Sequence, residues 1–73
     1  MTEYAIKLEW DSQVNVWVAT SEDVPGLVLE SGSFDALIER VRHAVLELLE
    51  LNQKEHAEIS LHFKSERHER AYV

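Results

Sequence analysis

The only proline and both glycines of the chain fall between Pro25 and Gly32, in the stretch SEDVPGLVLESGSF. Proline presets φ for the first corner of a type I or II turn, and glycine accepts the positive φ that type II needs next. Pro25-Gly26 therefore marks a corner, and Gly32 marks a second break. Ser33 follows as a helix N-cap, with Asp35 in the first turn, where the helix dipole favours an acid. Ala36 stands where a capping box would carry Glu or Gln, so the box is incomplete. The rest of the chain has no comparable breaker and must be built from a few long elements around this corner.

Hydrophobic periodicity supplies those elements. In EYAIKLEW, Tyr4, Ile6, Leu8 and Trp10 alternate with Glu3, Ala5, Lys7 and Glu9, the period of a strand with one buried face. Asp11, Ser12 and Gln13 read as a polar turn. VNVWVATS is a second strand, joined to the first as a hairpin. It is apolar on both faces, with Val14, Val16 and Val18 on one and Trp17 and Ala19 on the other. LVLES is a third strand. Phe34, Leu37, Ile38, Val41, Val45, Leu48 and Leu49 then recur at helical spacing. Ala44, Leu46 and Leu51 widen that apolar stripe, and Asn52 reads as a helix stop. After NQKEH, AEISLHFK alternates again, with Ile59, Leu61 and Phe63 on one face. The tail SERHERAYV reads as a short helix or an extended arm. This predicts an α+β fold: a small antiparallel-rich sheet in β-β-β-α-β order with one helix on one face. It is one domain over residues 1–73, with a core from about 4 to 64 and a short tail over 65–73.

With 73 residues, the chain is near the lower limit for a self-sufficient core. It has no cysteine, so disulfides and zinc–thiolate sites cannot support it. A partner chain is the expected support, and a homodimer the simplest form. A four-stranded sheet leaves unpaired edges, and strand two has apolar residues to spare on both faces. No segment reads as a signal peptide or reaches membrane-spanning length, so a cytoplasmic protein with no membrane partner is expected.

Fourteen acids against seven Lys and Arg give a net charge of −7. The first 53 residues hold three basic and ten acidic residues, so 3 − 10 = −7, whereas the remainder is balanced. Such a surface repels phosphate backbones and attracts basic proteins, so direct nucleic-acid binding is not expected.

The same stretches carry a family resemblance. Trp17-Val18-Ala19, Val24-Pro25-Gly26-Leu27 and Gly32-Ser33-Phe34 leading into the helix resemble the HicB-like antitoxin family. The run WDSQVNVWVATSEDVPGL is similar to a short, uncharacterised HicB-related branch. The resemblance covers about residues 4 to 64. It implies a degraded RNase H-like fold that dimerises and sequesters a small basic RNA-cleaving toxin. Many members of the family carry a C-terminal helix-turn-helix or ribbon-helix-helix segment that binds DNA. Here nine residues follow strand four, so no such segment is expected.

Catalytic signals are sparse. The RNase H-like resemblance directs attention to carboxylates that hold two metal ions. Asp11 and Glu30 end strands one and three and are the pair to examine, beside the plainer reading of solvated strand-end acids. ESGSF does not match a nucleophile elbow, and two glycines do not make a phosphate loop. His56, His62 and His68 are evenly spaced, but no H-E-x-x-H or comparable spacing occurs. No catalytic residue, metal or cofactor is assigned. A small metal-dependent enzyme or metal-binding protein on the same fold is the alternative, and an orphan self-associating domain without a toxin is a third.

Partner-binding candidates are Trp17, Glu22 and Asp23. Trp17 is an interface anchor if the valines face the helix, and a core residue if the sheet registers the other way. Glu22 and Asp23 are either a solvated loop pair or acidic contacts for a basic partner. The expected activity is protein binding, with the antitoxin role as its specific form.

Overall fold

The computed structural model describes residues 2–49 and 58–72. Its elements are β1 (Thr2–Asp11), β2 (Val16–Thr20), β3 (Val28–Ser31), α1 (Phe34–Leu48) and β4 (Ile59–Glu66). They form a four-stranded sheet in the order β3-β2-β1-β4. β1–β2 and β2–β3 are antiparallel, whereas β4 runs parallel to β1 from Thr2↔Ile59 to Glu9↔Glu66. The fold is thus the β-β-β-α-β layer that the periodicity predicts, with a mixed sheet. The parallel pair follows from topology, because the chain crosses the sheet through α1 before adding its last strand.

Alternation fixes the faces. Leu8 pairs with Ala19 and Trp10 with Trp17, Ala19 pairs with Leu29, and Ile6 pairs with Phe63. Directly paired residues share a face, so all of these lie on the side that α1 covers. α1 packs over β3 and β2, and the Arg40 guanidinium donates to the Glu30 carbonyl at 2.8 Å. The buried core is Ile6, Leu8 and Ala19 from the sheet, Leu37, Val41 and Val45 from the helix, and Val24 and Leu27 from the loop. The helical stripe is narrower than the sequence pattern suggests. Leu46 and Leu48 are 40% and 44% exposed. The stop assigned to Asn52 and the contribution of Leu51 lie outside the described residues, and the helix is capped at Leu49.

The marked corner is a type II turn. The Leu27 N–H donates to the Val24 carbonyl at 3.2 Å, and Gly26 has φ 87°. The turn exposes Pro25 and Gly26 while driving Val24 and Leu27 into the core. A methyl group on Gly26 would meet Leu48 Cδ2 at an ordinary 3.6 Å. The requirement for glycine is therefore its dihedral angle rather than space. Ser33 caps α1 as expected, its hydroxyl accepting from the Ala36 N–H at 3.2 Å.

Two boundaries differ from the sequence reading. β2 begins at Val16, not Val14, because Asn15 takes the left-handed conformation at φ 55°. Asn tolerates that region better than most residues. The Asp11 carboxylate accepts from the Gln13 N–H at 3.0 Å and starts the turn. Val14 is left 61% exposed. β4 runs on to Glu66, after which residues 67–72 form no helix or strand.

Candidate partner-binding face

The side of the sheet away from α1 carries Glu3, Ala5, Lys7, Glu9 and Asp11 from β1. Val16, Val18 and Thr20 from β2 join them, followed by Val28 and Glu30 from β3, and by His62, Lys64 and Glu66 from β4. Among the described residues, no secondary-structure element covers this face. Val16, Val18 and Val28 give its β2–β3 side apolar area, and Val28, on the edge strand, is 70% exposed. Glu9 and Glu30 flank Val18, and Asp11 stands opposite Val16.

An open cleft of about 700 Å³ crosses this face near Thr20, lined by Lys7, Glu9, Glu22, Lys64 and Glu66 among others. Like charges sit directly opposite across the β1–β4 pair, Lys7 against Lys64 and Glu9 against Glu66. Such pairs repel, and Lys7 is relieved by turning along its own strand. Its Nζ lies 2.7 Å from Glu9 Oε1. That hydrogen bond and the nearby carboxylate charge raise the Lys7 pKa. Lys7 and Glu9 therefore engage each other, and Glu22, Glu66 and Lys64 are the other charged groups on the cleft wall besides Asp23. His62 Nδ1 lies 3.8 Å from Glu3 Oε1 at another point of the face.

The three sequence candidates do not converge. Trp17 lies on the helix side, half-buried, with its ring 4.9 Å from Phe34 and 5.5 Å from Trp10, both edge-to-face. The reading that turns it toward the open face is corrected by the Leu8↔Ala19 register, which puts the valines outside. Asp23 is not a free loop acid. Its Oδ2 accepts from the Ala5 N–H at 2.7 Å, completing β1 where β2 has stopped pairing. Glu22 is exposed on the wall of the cleft and is the candidate that remains on the open face.

Sequence reasoning missed Ser21. Its hydroxyl donates to the Ala5 carbonyl at 2.6 Å and accepts from the N–H groups of Asp23 and Val24. It also missed Arg67, whose guanidinium sits 4.1 Å from the Trp10 ring centre and bonds Glu69 Oε1 at 2.6 Å. The acidic loop next to a strand end is a signal for Ser21; nothing local signals Arg67.

Asp11 and Glu30 share the open face but lie on β1 and β3, with β2 between them. Among the described residues, no three His, Asp or Glu side chains gather to hold a metal ion. His56 lies outside the described residues. No helix among them is long and apolar enough to cross a membrane.

The chain belongs to the family described as a domain of unknown function, DUF1902, which it matches over residues 3–73. It is also similar to the crystal structure of a hypothetical protein from the extremely thermophilic bacterium Thermus thermophilus. The two share 31% identity and a TM-score of 0.68, over 97% of this chain and 99% of that one. No curated protein matches the chain.

Proposed function

We propose that this domain is a non-catalytic, cytoplasmic protein-binding module. It works as a homodimer of the HicB-like type and sequesters a small basic RNA-cleaving toxin. The carrying observation is the uncovered sheet face, where exposed Val28 and half-buried Val16 and Val18 are interspersed with Glu9, Asp11 and Glu30. Apolar side chains set among charged ones suit a protein interface, and the excess of acids among them favours a basic partner. The strand order β3-β2-β1-β4, with a helical crossover to a parallel β4, supports the degraded RNase H-like reading of the fold.

The test is capture from native extract followed by an activity assay. Recovery of a small basic ribonuclease that the protein inhibits supports the proposal. Raising the salt should slow association more than it speeds dissociation, because steering acts on encounter. Specific, tight binding of duplex DNA with no protein captured would overturn it. A self-associating domain without a toxin is the second reading, favoured by the long edge that β4 presents. A stable dimer that captures and inhibits no ribonuclease would select it.

A further inference from the structure

β4 is an edge strand of unusual regularity. Its inner side pairs with β1 residue for residue from Thr2↔Ile59 to Glu9↔Glu66. Among the described residues, nothing pairs with its outer side. ISLHFKSE contains no proline or glycine, whereas the opposite edge, β3, is four residues long. A long edge without a bulge or proline is a template for another strand. Its helix-side residues Ile59, Leu61 and Phe63 are only half-buried, because α1 packs over β3 and β2. Among the described residues, β4 is thus the strand of that face with the least cover, and continuing the sheet would give its apolar strip a neighbour.

We infer that β4 pairs antiparallel with β4 of a second copy of this chain, about a two-fold axis at Leu61. This rests on the homodimer part of the reading above and gives it a seam. Directly opposite residues share a face, so self-pairing must centre on a residue, and four centres overlap five or more residues of β4; the one at Lys64 sets Lys64 against its own copy and Phe63 against the partner's Ser65. An axis at Leu61 sets Ile59 against the partner's Phe63, Glu58 against the partner's Lys64 and Leu61 against its own copy. An axis at His62 sets Glu58 against the partner's Glu66 and the two His62 side chains together. An axis at Phe63 sets His62 against the partner's Lys64 and Leu61 against the partner's Ser65. Only the Leu61 axis sets both apolar against apolar and acid against base. The two four-stranded sheets then become one, with the half-covered strips of both copies adjoining.

The absence of native cysteine makes the register directly readable. Across an antiparallel pair, opposed Cα atoms lie about 4.5–5.5 Å apart, within disulfide reach. Leu61→Cys should cross-link to its own copy on mild oxidation. Ser60→Cys and His62→Cys should each stay uncross-linked alone, being offset by two positions, yet cross-link when the two variants are mixed. That mixture does not depend on how well Leu61→Cys folds. Lys64→Glu should weaken dimerisation roughly tenfold or more, and adding Glu58→Lys to the same chain should restore it. A dimer by light scattering that gives none of these cross-links overturns the seam and leaves the homodimer reading standing. His62→Cys cross-linking alone overturns the Leu61 axis in favour of the His62 one. A native monomer at micromolar concentration overturns both the seam and the homodimer reading.

Discussion

The two ends of β1 are held in opposite ways. At its C-terminal end, Trp10 packs edge-to-face on Trp17, Trp17 on Phe34, and Arg67 lies over Trp10. That end is fixed by side-chain area and ring geometry. Near its N-terminal end, β2 has already turned away after Thr20, and Ser21 and Asp23 take over its pairing through Ala5. On that side the end is fixed by polar side chains standing in for backbone, while β4 pairs along the other. Large apolar contacts carry more free energy than hydrogen bonds, whose net value is about 0.5–1.5 kcal/mol each. Loss of the aromatic end should therefore reach the whole fold, whereas loss of the polar latch should loosen one corner.

The largest effect is expected from Trp17→Ala. It removes the ring that joins sheet to helix start, at the low end of the range for large aromatic deletions because Trp17 is half-buried, about 3 kcal/mol. A shifted denaturation midpoint with an unchanged slope would report it. Gly26→Val comes next, at about 1–2 kcal/mol, from forcing a branched side chain into the left-handed region. Ser21→Ala should cost about 1 kcal/mol and show its effect locally, as faster amide exchange at Ala5 with Trp10 unchanged. If both ends of β1 speed up together, the strand is a single unit and the contrast drawn between its ends fails. Arg67→Ala is the smallest, about 0.5 kcal/mol for an exposed cation–π contact, read by thermal melts.

Ser21 and Asp23 also show where the sequence stops being readable. The β1 alternation, the α1 helix, the Pro25-Gly26 turn and the Ser33 cap rest on neighbours within a few residues, and each appears where its pattern places it, though Leu46 and Leu48 fall outside the buried stripe. The Asp23 bond to Ala5 spans 18 positions. No local pattern distinguishes such an acid from a solvated one, so in sequence it resembles a contact for a partner. Trp17 is ambiguous for a different reason. β2 is apolar on both faces, so alternation alone gives no side preference, and the pairing of Trp17 with Trp10 and Ser31 decides it. The hairpin boundary shifts by two residues because Val14 and Asn15 look like strand, while the positive φ of Asn15 belongs to the turn. The binding face is legible only in part. The acid excess is visible in composition, but its gathering around Val16, Val18 and Val28 needs the register.

The parallel union of β1 and β4 gives the molecule a timetable. Thr2 meets Ile59, and Glu9 meets Glu66, so β1 must wait for β4, which is made after the helix. The β1–β2–β3 ribbon and α1 can assemble from contacts between near neighbours, but one flank of the central β1 stays bare until β4 has left the exit tunnel. Closing so long a loop is slow compared with hairpin formation. During that interval the nascent chain exposes an open strand flank beside Ile6 and Leu8, the kind of surface that chaperones hold and that neighbouring chains capture. A ribosome stalled within β4 would strand the chain in its stickiest form.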